Sequence, residues 1–200
     1  MENNLINFIK DRLLESQQTL ELMLTDNHLI ESTESAAKVC ISALTSGNKI
    51  LLAGNGGSAA DCQHIAGELV SRFEFDRPGL PAIALTVDSS ILTAIGNDYG
   101  YEKLFERQLQ ALAKPGDVFF AYSTSGKSPN ILKALEFAKS SGIFTIGFTG
   151  NRQGPMNSLC DHLLVVPSSD TPRIQEGHLV LGHVICGLIE NSIFPELRPK

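Results

Sequence analysis

Two patterns of apolar positions divide the chain near Gly47. Over Leu5–Met23 and Leu29–Leu44, apolar residues recur at helical spacing among polar side chains, and Gly47 provides a stop signal after the second segment. Beyond it, short continuous apolar runs alternate with longer amphipathic stretches. The pattern predicts two leading helices within residues 1–47, followed by an α/β core over residues 48–200.

The apolar runs of the core predict five strands of one sheet. They lie at Ile50–Ala53, Ala82–Leu85, Asp117–Ala121, Thr145–Phe148 and Leu163–Val166. The stretches between and after them predict helices at about Ser58–Arg72, Ser89–Ile95, Tyr101–Ala113, Pro129–Ser140 and Arg173–Ile193. Because the runs are continuous rather than alternating, we expect both faces of the sheet to be covered. This is typical of a doubly wound parallel α/β sheet, and one domain over residues 1–200 is expected.

The loop after the first predicted strand has the composition of an anion site. Its sequence is Gly54-Asn55-Gly56-Gly57-Ser58, directly before a predicted helix. Glycines allow a tight turn and close approach of a ligand to the backbone. The helix start adds free N–H donors and a positive dipole end, which suit a phosphate. The Gly-x-Gly-x-x-Gly fingerprint of dinucleotide sites is absent, so the pattern favours a small phosphorylated molecule.

A second loop, after the third predicted strand, is rich in hydroxyl groups. Ser123, Thr124, Ser125 and Ser128 precede a helix that begins with Pro129. Hydroxyls beside a helix start form a neutral phosphate clamp, whereas simple capping of the helix needs only one of them. The phosphate interpretation is therefore favoured over capping. The loop lacks the spacing of a Walker motif.

Titratable side chains suggest where chemistry takes place. His64 and Glu68 are four residues apart, so they share one face of a predicted helix, and His183 lies in the final helix. These three residues fit either a divalent-metal site or a metal-free acid–base pair. Gln175 precedes His183 by eight residues, about 80° around and roughly 12 Å along the helix axis, so the two can flank one ligand but not chelate tightly. His178 is interpreted as a core histidine.

One further polar segment, Gly96–Gly100, contains Asn97 and Asp98 between two helical stretches. Asn, Asp and Gly are common in turns, and an ordinary turn is the favoured interpretation. The side chains would contact a sugar only if this segment reaches the carboxyl ends of the strands.

Composition narrows the classes of partner. The net charge of −6 over 200 residues, without a Lys/Arg cluster, argues against nucleic-acid binding. No apolar run approaches the roughly 20 residues that span a bilayer, and the first residues lack the pattern of a signal peptide. Cys40, Cys62, Cys160 and Cys186 show no paired spacing. We expect reduced thiols in a cytoplasmic protein without membrane partners.

Seven short motifs lie in a fixed order along the chain. They are Gly54–Ser58, Gln63-His64 with Glu68, Arg77-Pro78, Pro81–Leu85, Gly96–Asp98, Ser123–Gly126 and Arg173–Glu176. Together they resemble the phosphoheptose isomerase family of sugar-isomerase (SIS) domain proteins, and the likeness covers nearly the whole chain. The resemblance implies a flavodoxin-like SIS fold with two leading helices. One departure is Pro172, where family sequences often have Asp before Arg-Ile-Gln-Glu.

The resemblance also implies an activity and an assembly. The activity is conversion of sedoheptulose 7-phosphate to D-glycero-D-manno-heptose 7-phosphate through an enediol, the first step toward ADP-heptose and lipopolysaccharide, in bacterial cytoplasm. Family members are homotetramers with active sites at subunit interfaces, and many bind zinc, one ion per subunit. The zinc ligands would be His64, Glu68, Gln175 and His183. The substrate-binding positions would be Asn55, Gly56, Gly57, Ser58, Glu68, Asn97, Asp98, Ser123, Thr124, Ser125, Ser128 and Gln175.

Within this mechanism, Glu68 is the predicted base and His183 the predicted acid. The main alternative is a non-catalytic scaffold of the DnaA initiator-associating type, a family branch in which the equivalent positions no longer hold this pair. A sensor that binds sugar phosphate without converting it is a third possibility. Because both Glu68 and His183 are present, the isomerase is favoured.

Overall fold

A computed structural model describes residues 2–152 and 154–199, and its elements follow the predicted order. The predicted domain bounds, 1–200, include Met1, Gln153 and Lys200, which lie outside the described residues. The helices are α1 (Glu2–Thr25), α2 (Asn27–Thr45), α3 (Gly57–Val70), α4 (Ser89–Tyr99), α5 (Leu104–Leu112), α6 (Pro129–Ser140), α7 (Met156–Leu159) and α8 (Thr171–Ile193). The strands are β1 (Ile50–Ala53), β2 (Ala82–Ala84), β3 (Val118–Tyr122), β4 (Phe144–Gly150) and β5 (His162–Val166).

The five strands form one parallel sheet in the order β2-β1-β3-β4-β5. Leu51 of β1 pairs with Ile83 on one side and with Phe119 on the other. The chain leaves β1 for β2 at one edge and then returns to β3 on the opposite side of β1. This reversal creates a crevice at the carboxyl ends of β1 and β3, where ligands bind in such sheets. The predicted doubly wound, flavodoxin-like parallel sheet is confirmed.

Two hydrophobic cores lie on the two faces of the sheet. Ile50 and Leu52 of β1 belong to a core with α2, α3 and α8, whereas Leu51 and Ala53 belong to a core with α5, α6 and α7. Successive strand residues point to opposite faces, so a fully apolar strand supplies both cores. This three-layer packing explains the continuous apolar runs of the sequence.

The segment with Asn97 and Asp98 is helical, so its interpretation as a turn was wrong. Helix α4 begins after Asp88, which accepts a hydrogen bond from the Ile91 N–H at 2.9 Å, and continues through Asn97 and Asp98 to Tyr99. The helix ends only at Gly100, whose φ of 87° is a left-handed conformation that glycine adopts without strain. The predicted helix from Tyr101 begins with a 3₁₀ turn before α5.

Candidate active site

Helices α3 and α8 bring His64, Glu68 and His183 together. The Nε2 atoms of His64 and His183 are 2.8 Å apart, and the His64 Nε2 lies 3.2 Å from Glu68 Oε1. One ligand atom from each residue lies within 4.8 Å of the others. His64 and Glu68 are accessible, with side-chain exposures of 46% and 24%. The structure therefore joins the His64–Glu68 pair of α3 to His183, which is 119 residues away from His64 in sequence.

Close packing of α8 against α3 makes this meeting possible. A Cβ atom at Gly182, the residue before His183, would lie 2.6 Å from the Cδ1 atom of Ile65 in α3. A larger residue at this position would therefore require Ile65 or the helices to shift. Phe73, which follows α3, packs against the imidazole of His183 with ring centroids 5.3 Å apart. Phe73 was not among the residues predicted for the site, because a lone aromatic residue carries no distinctive sequence signal.

A half-buried carboxyl group lies about one turn before His64. Burial raises the pKa of Asp61, and the nearby His64 opposes that rise. Its Oδ2 atom is buried without a hydrogen-bond partner among the described residues. Asp61 thus places a second carboxyl group close to the imidazole of His64.

Gln175 lies at the other end of α3. A Cβ atom at Gly57 would be 2.5 Å from the Gln175 Nε2, so the Gln175 amide covers the first turn of α3. Gln175 and His183 both belong to α8, which keeps them about 12 Å apart along its axis. Within one chain the structure therefore separates Gln175 from the imidazole–carboxylate cluster, and its role as a metal ligand stays a prediction.

The turn between β1 and α3 has the backbone shape expected of a ligand loop. Gly56 has φ of 56°, and a Cβ atom at Gly54 would lie 2.6 Å from the Ser58 carbonyl oxygen. Both glycines are needed, one for its conformation and one for its close approach. The side chain of Ser58 is buried, whereas Gly56 and Gly57 are exposed at the start of α3.

The hydroxyl loop is organised by contacts among its own side chains. Ser123 Oγ lies 2.8 Å from Ser128 Oγ and 3.5 Å from Ser125 Oγ, and Ser125 Oγ accepts a hydrogen bond from the Lys127 N–H at 3.2 Å. Ser128 precedes α6, yet its side chain makes no capping hydrogen bond to that helix. The loop is therefore more than a helix cap, which favours the phosphate interpretation.

Two asparagines connect the two loops. The Asn55 and Asn130 amides exchange hydrogen bonds of 3.0 and 2.8 Å, and the Tyr101 hydroxyl donates to Asn55 Oδ1 at 2.9 Å. Asn55 was predicted to contact substrate, whereas Asn130 and Tyr101 were missed. Asn130 is buried in the first turn of α6, but an asparagine at a helix start is common and carries no distinctive sequence signal.

Asn97 and Asp98 are exposed at the end of α4. The Asn97 amide donates to Asp98 Oδ1 at 2.8 Å. Asp98 lines a groove between α4 and α5, near Tyr99 and Arg107. These residues are thus placed on a helix at the rim of the fold, and their contact with substrate stays a prediction.

His178 is a core residue, as expected. It is fully buried, and its ring packs edge-on against Tyr122 and Phe148 with centroid distances of 5.7 and 5.9 Å. Burial lowers the pKa of His178 to about 4. The imidazole is therefore neutral at physiological pH and lies apart from the His64–His183 pair.

Comparison with known proteins identifies the family of this chain. The SIS domain model matches residues 15–150, which makes this a SIS-domain protein. A phosphoheptose isomerase of Burkholderia pseudomallei is 63% identical over 97% of this chain and 98% of its own length, and one from Aneurinibacillus thermoaerophilus is 59% identical over 94% of each. The chain belongs to the phosphoheptose isomerase family.

Solved structures of this family have the same fold. The phosphoheptose isomerase GmhA of Neisseria gonorrhoeae superposes with a TM-score of 0.88 at 39% identity, covering 94% of this chain and 99% of that one. The enzyme of Francisella tularensis gives 0.89 at 36% identity, covering 93% and 98%. The family and fold expected from the seven motifs are confirmed.

Proposed function

We propose that this chain interconverts sedoheptulose 7-phosphate and D-glycero-D-manno-heptose 7-phosphate. The observation that carries the proposal is the grouping of His64, Glu68 and His183 within 4.8 Å. Relatives named phosphoheptose isomerase, at up to 63% identity over nearly the full length, support the same substrate. An isomerase of this kind needs one group that removes a proton from carbon and another that protonates oxygen.

Glu68 and His183 supply these two groups. Glu68 removes a proton from C1 of the ketose, and the electrons of that C–H bond form the double bond of a cis-enediol. His183 gives a proton to the carbonyl oxygen at C2. In the second half of the reaction the C1 hydroxyl gives its proton back to His183 as it becomes the aldehyde, and Glu68 returns a proton to C2. General acid–base catalysis of this kind contributes about 10²–10⁴-fold to rate.

The two loops at the crevice between β1 and β3 hold the phosphate. Hydroxyls of the second loop and the N-terminal end of α3 provide donors without a fixed positive charge. Asn55 belongs to the first loop, and its hydrogen bonds with Asn130 and Tyr101 fix its orientation. The substrate-binding set of this proposal is Asn55, Gly56, Gly57, Ser58, Glu68, Asn97, Asp98, Ser123, Thr124, Ser125, Ser128 and Gln175.

The cluster also suits a zinc ion. Two imidazole nitrogens and one carboxylate oxygen form a donor set that zinc prefers, and all three converge in the structure. We propose His64, Glu68 and His183 as ligands. Gln175 of the same chain is too far from these three residues, so we propose that a second copy of the chain supplies the Gln175 ligand. When bound, zinc polarises carbonyl and hydroxyl oxygens and stabilises negative charge on them. Ligation would weaken Glu68 as a base, so its two roles compete.

A homotetramer with active sites at subunit interfaces is part of the proposal. Large apolar side chains are exposed on α1 and on the outer face of α8. They include Leu5, Phe8, Ile9, Leu13, Val180, Val184 and Leu188. An apolar surface of this extent on neighbouring helices is typical of a subunit interface.

The proposed location is the cytoplasm, with heptose made for lipopolysaccharide or a related glycoconjugate. All four cysteines are free, which agrees with a reducing compartment. Among the residues that the structure describes, no helix is both long and apolar enough to cross a bilayer.

The experiment that tests the function is turnover of sedoheptulose 7-phosphate by the purified protein, before and after chelation and with zinc restored. We expect turnover that falls on chelation and returns with zinc. Turnover that ignores chelation, in protein shown to be metal-free, would remove zinc but keep the Glu68–His183 mechanism. Absence of turnover in every state would contradict the isomerase and favour the scaffold, for which the clustered acid–base residues have no use.

A further inference from the structure

A buried ion pair lies next to the imidazole–carboxylate cluster. Arg77 Nε donates to Glu190 Oε1 at 2.9 Å, and both side chains are almost completely buried, at 1% and 0% exposure. Arg77 belongs to the segment between α3 and β2, and Glu190 to the last turns of α8. The pair therefore joins the two helices that carry Glu68 and His183.

Arg77 holds the end of α3. Its guanidinium donates to the carbonyl oxygens of Glu68 at 2.8 Å and Leu69 at 2.7 Å, and also to those of Ser71 and Pro78 at 3.3 and 3.0 Å. The last carbonyls of a helix lack partners within it, and a positive charge there is favourable. One of these carbonyls belongs to Glu68 itself, so Arg77 fixes the backbone of the proposed base.

Glu190 holds the segment that follows α3. Its two carboxylate oxygens accept hydrogen bonds from the Phe73 and Glu74 N–H groups at 3.0 and 2.7 Å. Phe73 in turn packs its ring against His183. Glu190 thus acts on the proposed acid through Phe73, while Arg77 acts on the proposed base through its carbonyl.

Stability alone does not require the buried Arg77–Glu190 ion pair and its hydrogen bonds. A buried ion pair is weak evidence for stability, because apolar residues of similar volume often replace one without loss. By contrast, misplacement of catalytic groups by about 1 Å can cost about 10²-fold in rate. We propose that Arg77 and Glu190 are positioning residues, which set the relative position of Glu68 and His183 without contacting substrate. The inference rests on the proposed function.

The chain offers a matched control in a second buried ion pair. Asp117 is fully buried and accepts from the Lys49 Nζ at 2.6 Å and from the Lys49 and Lys114 N–H groups at 3.0 and 2.8 Å. It lies before β3, at the amino ends of the strands and away from α3 and α8. Asp117→Asn therefore removes a comparable buried charge without touching the proposed site.

The kinetic test compares Glu190→Gln and Arg77→Lys with Asp117→Asn, each assayed below its own melting temperature. The positioning role predicts kcat about tenfold or more below the control for Glu190→Gln, with KM within about twofold. Arg77→Lys keeps the charge but loses the planar fork of donors, so we expect a smaller drop in kcat. If Glu190→Gln does not fold, the comparison of Arg77→Lys with Asp117→Asn still tests the inference. Equal kcat values for all three variants would overturn the inference.

A spectroscopic test separates this inference from the proposed function. Nitrogen-15 NMR of the imidazoles in chelated protein reports the His64–His183 hydrogen bond whether or not the protein turns over the heptose. We expect Glu190→Gln to shift the His183 signals and Asp117→Asn to leave them in place. Unmoved signals in Glu190→Gln would contradict the positioning role. Absence of turnover by the wild type would instead contradict the proposed function.

Discussion

Two polar regions of the chain are built in different ways. The imidazole–carboxylate cluster consists of titratable side chains from α3 and α8, whose active atoms lie within 4.8 Å. The hydroxyl loop after β3 consists of neutral side chains, with Ser123 and Ser128 in contact at 2.8 Å. One region offers the side chains of an acid–base pair, whereas the other offers only groups that donate and accept hydrogen bonds.

The difference assigns separate tasks to the two regions. Removing a proton from carbon requires a base, which the hydroxyl loop lacks at neutral pH. Holding a phosphate requires converging donors, which the loop provides without altering the charge of the base. Variants in the cluster should therefore change kcat, and variants in the loop should change KM.

The largest effect is expected for Glu68→Gln. Glutamine keeps the shape of the side chain but cannot accept the proton from C1, so kcat should fall by about 10³-fold or more. Steady-state kinetics on sedoheptulose 7-phosphate measure the change. Glu136→Gln, an exposed glutamate paired with Lys133 on α6, is the matched control. Turnover close to that of the control would remove Glu68 as the base.

A somewhat smaller loss is expected for His183→Asn. Asparagine can still hydrogen-bond to the carbonyl oxygen but cannot deliver a proton to it as imidazole does, so we expect kcat about 10²-fold lower. The exposed His28, which contacts Ser32 on α2, provides the control as His28→Asn. If His183→Asn changed KM alone, His183 would belong with the binding region rather than with the acid–base cluster.

Ser123→Ala combined with Ser125→Ala should act on binding. Each neutral hydrogen bond is worth about 0.5–1.5 kcal/mol, so loss of two should raise KM about tenfold with kcat within about threefold. Ser140→Ala, at the other end of α6 and exposed, is the control. A drop in kcat with unchanged KM would break the division of tasks between the two regions.

The smallest effect on activity is expected for His178→Phe, because His178 belongs to neither region. Its pKa is about 4 in the folded protein against an ordinary value of 6.5. As the pH falls from 6.5 toward 4, the unfolded chain binds a proton that the folded chain excludes, so stability falls. This contribution reaches roughly 3 kcal/mol, since one pKa unit corresponds to about 1.4 kcal/mol.

His178→Phe should remove that part of the acid sensitivity and leave kcat and KM within about twofold of the wild type. Urea unfolding at pH 7 and at pH 5 measures the first effect. If the variant lost stability equally at both pH values and also lost kcat, His178 would have to be moved into the functional site.

Much of the fold was predictable because packing leaves a direct mark on the sequence. Buried parallel strands are apolar on both faces, and β1 at Ile50–Ala53 coincides with the predicted strand. Helix α6 begins at Pro129 as predicted, because proline suits the first helical position. The His64–Glu68 pair could also be predicted from the sequence, since residues four apart share one face of a helix.

Other features depend on contacts between distant parts of the chain. Gly96-Asn97-Asp98 has a turn-like composition, yet α4 continues through it, and Arg107 of α5 lies 4.1 Å above the ring of Tyr99 at its end. The sequence likewise could not show that Glu190 accepts two N–H groups from the segment after α3, 116 and 117 residues away. Local propensity is weak compared with such tertiary contacts.

The central claim is that Glu68 carries a proton between C1 and C2, and turnover in deuterium oxide tests it most directly. With wild-type protein we predict that the heptose product carries deuterium at C2, because the carboxyl group exchanges its proton with solvent. Glu68→Gln should give neither product nor deuterium exchange at C1 of sedoheptulose 7-phosphate. Equal rates of unlabelled product from both proteins would contradict the account.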